Sequence, residues 1–180
     1  MPNHQGRSRA VIESVQPEID GGRFPIKRVV GESVVVDADV FADGHDVIAC
    51  VLLHRNVGDD QWSESPMTPI VNDAWRGAFR VDRVGRAEYT LVAWVDRFLS
   101  WVRDLKKRSP ADSDIGVNLR IGAELIAAAA ERATGDATTF LRKCAKFLTG
   151  DAPAEERILA GLDPELAEVM LPLSDRRFAT

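Results

Sequence analysis

The sequence predicts an α+β protein, with an immunoglobulin-like antiparallel β-sandwich over residues 1–104 and a small α-helical bundle over residues 105–180. Three observations predict it. Apolar residues recur with period two between Arg9 and about Trp101. Turn-forming clusters break that pattern at short intervals. Beyond Trp101 the composition moves to Ala, Leu, Glu, Arg and Lys with helical spacing. With 180 residues and 45% hydrophobic content, the chain can bury a real core, as one domain plus a satellite or as two small domains.

The strand elements follow from alternation. In segments 33–41 and 47–54 the β-branched runs alternate loosely, as central strands covered on both faces would. In segment 73–81, Trp75, Phe79 and Val81 point to one side while Arg76 and Arg80 point to the other, which predicts a half-buried strand. In segment 86–95, Tyr89, Leu91, Ala93 and Val95 share one face, and Glu88, Thr90, Val92 and Trp94 the other. Turns separate these runs at Asp20-Gly21-Gly22, Val30-Gly31-Glu32, Asp43-Gly44-His45, Gly58-Asp59-Asp60, Val71-Asn72-Asp73 and Val84-Gly85-Arg86. Six or seven short strands so punctuated predict the sandwich, and the missing Cys-Trp-Cys pattern excludes an antibody-type domain.

The helical elements follow from spacings of three and four. Ile115, Leu119, Gly122, Ile126 and Ala129 form one stripe with Val117, Ile121 and Leu125 alongside, so this helix needs neighbours on more than one side. Phe140, Leu141, Cys144, Phe147 and Leu148 repeat the pattern after the Gly135-Asp136 break, and Ile158, Leu159 and Leu162 begin again after Pro153. Asp163-Pro164 supplies an N-cap followed by proline at the first helical position, launching Leu166, Val169 and Met170. Three or four short helices with tight links predict a bundle.

Charge and composition narrow the function. A formal net charge of -5 argues against nucleic acid or an anionic membrane as partner, since either needs a concentrated field of Lys and Arg. The polar opening residues contain no secretory apolar core, and the longest apolar stretches, such as 125–130, are far too short to span a bilayer, so the expected location is the cytoplasm. Cys50 and Cys144 have no metal-ligand spacing and read as plain thiols. None of His4, His45 and His54 sits in a nucleophile motif or at the spacing of a helical metal site, and hairpin chemistry explains the carboxylates around His45. There is no glycine-rich phosphate loop, and Lys106-Lys107-Arg108 reads as a solvated helix face. Catalytic, metal and cofactor residues are therefore assigned to no position.

Four tryptophans, Trp62, Trp75, Trp94 and Trp101, raise the alternative of a flat platform for sugar rings. Trp75 shares a face with Phe79 and Val81, as core residues do. Trp94 lies opposite Tyr89 and Leu91, and either packs beneath the helical segment or stands exposed. Trp94 and Trp101 are the candidate platform residues for sugar rings.

One resemblance runs through nearly the whole chain. Ile12-Glu-Ser-Val-Gln-Pro-Glu-Ile-Asp-Gly-Gly-Arg-Phe-Pro-Ile-Lys-Arg-Val-Val-Gly-Glu32, followed by Val36-Asp-Ala-Asp-Val-Phe-Ala-Asp-Gly-His-Asp46, resembles the opening of the alpha-1,4-glucan:maltose-1-phosphate maltosyltransferases, members of the alpha-amylase-like superfamily. The similarity continues through Asn72-Asp-Ala-Trp-Arg76, Ala93-Trp-Val-Asp-Arg-Phe98, Gly161-Leu-Asp-Pro-Glu-Leu166 and Ser174-Asp-Arg-Arg-Phe178. It implies a sandwich domain carrying a helical insertion, both in homodimer contacts, ahead of a (β/α)8 catalytic barrel that this chain stops short of. The acids of the retaining double displacement lie in that barrel, so none is carried over to a position here. The implied reaction transfers maltosyl from α-maltose 1-phosphate to an α-1,4-glucan without a cofactor. If the helices are an insertion, a strand should follow them beyond Thr180, and a sheet edge is left unpaired. A free-standing α-glucan-binding module is the alternative reading, motivated by the sandwich and its tryptophans.

Overall fold

In the computed structural model the described residues are 9–180, and His4 lies outside them. They divide into two compact units, one of residues 9–95 with Arg177–Thr180 and one of Asp96–Arg176. The second unit thus interrupts the first in sequence.

The first unit holds seven strands: β1 (Ala10–Gln16), β2 (Ser33–Ala42), β3 (Ile48–Asn56), β4 (Ser63–Pro66), β5 (Thr68–Val71), β6 (Ala74–Arg80) and β7 (Ala87–Val95). All pair antiparallel, in two sheets of order β1-β2-β6-β5 and β4-β3-β7. Register places Val34 opposite Phe79 in one sheet, and Cys50 opposite Ala93 and Leu52 opposite Leu91 in the other. These residues join Val36, Val40 and Met67 in one buried cluster, so both sheets contribute side chains to the same core. Val34, Val36, Ala38 and Val40 are buried at alternate positions of β2 while Val35 is 45% exposed. The expectation that β2 is covered on both faces is thereby corrected: its alternation is strict and one face meets solvent. The middle of β3, where Cys50, Val51 and Leu52 are buried in succession, does fit that expectation.

Between β4 and β5 the chain crosses from one sheet to the other at Met67, whose N–H donates to the Cys50 carbonyl at 3.0 Å. A Cβ on Gly77 would lie 2.9 Å from the Met67 Cγ, so β6 needs glycine there for Met67 to enter the core.

The second unit contains α1 (Arg97–Leu105), α2 (Ile115–Ala130), α3 (Asp136–Leu148), α4 (Ala154–Gly161) and α5 (Pro164–Met170), with a 3₁₀ turn over Leu171–Leu173. The strand period read as far as Trp101 gives way earlier, at Asp96. This carboxylate accepts the Leu99 N–H at 2.9 Å and caps α1, whose Phe98, Trp101 and Leu105 are buried at i, i+3 and i+7. The expected division after residue 104 falls at the end of this helix. On α2 the predicted stripe of Ile115, Leu119, Gly122, Ile126 and Ala129 is buried, and α1, α3 and α4 pack against the helix. Val117 and Ile121, expected alongside that stripe, are instead exposed. Asp163 accepts the Glu165 N–H at 2.9 Å with Pro164 at the start of α5, as the sequence predicted. No helix among the described residues is long and apolar enough to cross a membrane.

The two ends of the helical unit are joined. The Ser174 hydroxyl donates to Asp96 Oδ2 at 2.8 Å, so the residue that caps the first helix also holds the chain as it leaves the last. Within the first unit, Thr180 then exchanges both backbone hydrogen bonds with Ala93 of β7, at 2.9 and 3.0 Å, and its hydroxyl donates to the Ala10 carbonyl at 2.6 Å.

Candidate functional site

A cleft of about 920 Å³ lies in the strand unit alongside the first half of β7. Leu91, Tyr89, Val34 and Phe79 form its floor, and the irregular segment between β1 and β2, with Phe24, Pro25 and Ile26, forms a wall. Phe24 is 53% exposed and Val84, at the rim, stands almost free of neighbours at 91%. Arg28, Arg83 and Arg86 lie around the opening with Glu18 and Glu88. Arg83 is held by Asp59 at 2.5 Å and Glu88 by Arg55 at 3.2 Å, so part of that rim charge is already neutralised.

Tyr89 is the polar group that fixes the wall. Its hydroxyl donates to the Pro17 carbonyl, tying β7 to the segment after β1. Burial, then the charge of Glu18, push its phenol above the ordinary value, so it stays a donor through the neutral range. Behind it Phe79 stacks on His54 at 4.5 Å between ring centroids. Burial lowers the His54 pKa, opposed by the nearby Asp82, and the imidazole serves as a packed ring.

The candidate sugar platform does not take the form the sequence suggested. Trp94 is 4% exposed and Trp101 5%, so neither ring offers a face to a ligand. Trp101 is buried by its own unit. Its Nε1–H donates to the Asn118 carbonyl at 2.9 Å, and its six-membered ring lies where side chains on Gly122 and Gly161 would otherwise sit. Of the other two tryptophans, Trp75 donates to the Val40 carbonyl at 3.2 Å and packs against the strand core. Trp62 is 38% exposed, but the Arg55 guanidinium covers one ring face at 4.4 Å.

The remaining candidates resolve into local structure. Lys106 caps the C-terminal end of α1, where cations suit the helix dipole, and Arg108 pairs with Asp114 at 3.0 Å. The carboxylates with resolved shifts, Asp37 and Asp59, are both lowered, first by hydrogen bonds from Arg76 and Arg83 respectively; a general acid would need the opposite displacement. Burial pushes the Cys50 thiol up to about 12 beside the Met67 sulfur. Among the described residues no cluster of His, Cys, Asp and Glu could hold a metal ion. Sequence reasoning missed the cleft, because Phe24, Ile26, Val29 and Val30 follow neither period. The available signal was an apolar run with no element to belong to.

Comparison with known proteins adds to this geometry. Residues 8–180 match the family model described as alpha-1,4-glucan:maltose-1-phosphate maltosyltransferase, domain N/S. The chain is 44% identical over 160 residues to the alpha-1,4-glucan:maltose-1-phosphate maltosyltransferase of Chlorobaculum tepidum, covering 87% of this chain and 24% of the relative. It is 39% identical over 183 residues to that of Myxococcus xanthus, covering 93% and 26%. With that of Burkholderia pseudomallei it shares 34% identity over 176 residues, covering 96% and 15%. The chain thus spans a quarter or less of the length of these relatives, to within a percentage point.

Proposed function

The chain belongs to the domain N/S family of alpha-1,4-glucan:maltose-1-phosphate maltosyltransferases, and from that membership we propose that it is the non-catalytic front region of a cytoplasmic maltosyltransferase. In the full protein, maltosyl passes from α-maltose 1-phosphate to an α-1,4-glucan in a barrel downstream, and this region scaffolds that barrel and contributes to a homodimer. The observation that carries the reading is the match across residues 8–180 to a domain the family names separately.

The architecture supports it. Two antiparallel sheets of order β1-β2-β6-β5 and β4-β3-β7 are in keeping with an immunoglobulin-type sandwich in which β3 would stand as strand C and β7 as strand F. The helices share one buried cluster that includes Trp101, Leu119, Ile126, Leu141 and Leu148, as a small bundle would. Each unit buries an apolar cluster of its own, as a scaffold requires.

The test compares the 180-residue chain with the product of its complete reading frame. The complete product should release phosphate from α-maltose 1-phosphate in the presence of maltoheptaose, and the 180-residue chain should not. Sedimentation should give a dimer for the complete product. Turnover by the short chain would overturn the reading. Saturable binding of maltoheptaose by the short chain alone would favour a glucan-binding module instead.

A further inference from the structure

We infer that His54 is a proton-sensitive latch within the strand unit: its imidazole, stacked on Phe79, holds the ring cluster that anchors the wall of the cleft, and taking up a proton there loosens that wall.

The cluster is built from three strands. His54 of β3 and Phe79 of β6 belong to different sheets, and their rings lie 4.5 Å apart and within 12° of parallel. Tyr89 of β7 stands opposite His54 in register and meets the same Phe79 ring at 5.9 Å between centroids. The Tyr89 hydroxyl in turn donates to the Pro17 carbonyl, where the wall begins. Towards its other end the Gly31 N–H donates at 2.8 Å to the carbonyl of Val81, two residues beyond Phe79. The stack thus ties both sheets to the residues from which the wall hangs.

A proton is poorly accommodated there, on the side chain that ordinarily changes charge near neutral pH. Among the described residues no hydrogen bond or ion pair engages the His54 ring. Asp82, after β6, is the charged group that acts on it, and one oxygen of that carboxylate already accepts the Asn56 amide at 3.3 Å. The register partners are Ser63 on β4, which carries no charge, and Tyr89 on β7, which keeps its proton through the neutral range. Arg55 and Arg80 are sequence neighbours of His54 and Phe79, so each points to the opposite face of its strand; Arg55 pairs there with Glu88. On the wall side, Glu18 and Arg28 bear on Tyr89 in opposite senses. Burial outweighs Asp82, so the packed imidazole takes its proton at a lower pH than the ordinary 6.5. The closed wall therefore binds fewer protons than the opened one. Its advantage is complete above 6.5 and is lost as pH falls from there through the folded value.

The test follows amide-exchange protection by NMR, corrected for the intrinsic pH dependence of exchange, at Phe24 and Gly31 from about pH 7.5 to 5, together with the titration of the His54 ring. Both amides are hydrogen-bonded, to the carbonyls of Ile19 and Val81. Once the ring is charged, their protection should have fallen about tenfold for each unit by which His54 titrates below a free imidazole, while the Leu119 and Ile126 amides keep theirs. His54→Phe keeps a ring on Phe79 that cannot take a proton, and should abolish the pH dependence. His54→Gln, neutral but without the stack, should show lower protection at every pH and the same flat profile. Titration of His54 at or above 6.5, the imidazolium being held by Asp82 and the Phe79 ring, would overturn the latch. So would a wall that loosens with pH to the same extent in His54→Phe.

Discussion

Replacing Gly122 by alanine probes how closely α1 and α2 fit. A Cβ on Gly122 would lie 2.0 Å from Cζ2, 2.3 Å from Cε2 and 2.6 Å from Cη2 of Trp101. Carbon atoms in favourable contact stand roughly 3.5–4.0 Å apart, so the ring must leave its place. It has nowhere near to go: its Nε1–H is held by the Asn118 carbonyl, and Gly161 closes the other side, where a Cβ would come within 2.8 Å of Cη2. Losing a buried indole costs about 3–5 kcal/mol, and the better helix propensity of alanine offsets about 1 kcal/mol of that. The net loss is about 2–4 kcal/mol. Gly116→Ala is the control, since it lies on the same helix with nothing within 4 Å of the added methyl. It should be neutral or stabilising by up to ~1 kcal/mol. Urea unfolding followed by far-ultraviolet circular dichroism reads both, with exchange of the Leu119 and Ile126 amides as the local measure. Gly122→Ala as stable as the parent, or both variants shifting alike, would refute the close fit.

Three further outcomes are expected. Asp96→Ala removes the cap of α1 and the acceptor of Ser174 together, and should lower the urea midpoint of the helical signal by the equivalent of about 1–2 kcal/mol; Asp96→Asn should lower it less. The Asp37 carboxyl, lowered by its hydrogen bond and charge contact with Arg76, should titrate below 3.8 by carbon NMR and return towards it in Arg76→Ala. Because the folded value lies below the unfolded one, the pair's small contribution is present above that range and fades as pH falls through the folded pKa. A folded-state thiol reagent at mildly alkaline pH should modify half-buried Cys144 before Cys50, which should react only on unfolding; equal rates would contradict the burial of Cys50.

Much of the fold was legible because strands such as β2 and β7 keep one wetter face. Tyr89, Leu91 and Ala93 alternate with Glu88 and Thr90, and Asp163-Pro164 announces α5 by local chemistry alone. The start of α1 was harder: Trp94 and Val95 extend a strand pattern up to the residue that caps the helix. Phe98, Trp101 and Leu105 carried the helical spacing that could have revealed it. The pair β4 and β5 contains Pro66 and Pro69 and little apolar alternation, so its crossing between sheets shows only in three dimensions. The tryptophans misled for a related reason. What buries Trp101 is the absence of side chains at Gly122 and Gly161, and no local pattern says which distant glycine faces which ring. The cleft is likewise made by two stretches far apart in the chain, 15–34 and 79–91.

The link between Ser174 and Asp96 has a consequence for the order of folding. It joins residues 78 apart, and the rung from Thr180 to Ala93 encloses the same stretch. Gathering so long a loop from an open chain is an entropic barrier for that rung, whereas local helices form early and shorten the span to be closed. The last turn of β7's ladder should therefore lock after the helices have collapsed, and a lesion such as Gly122→Ala should delay a contact in which no helical residue takes part.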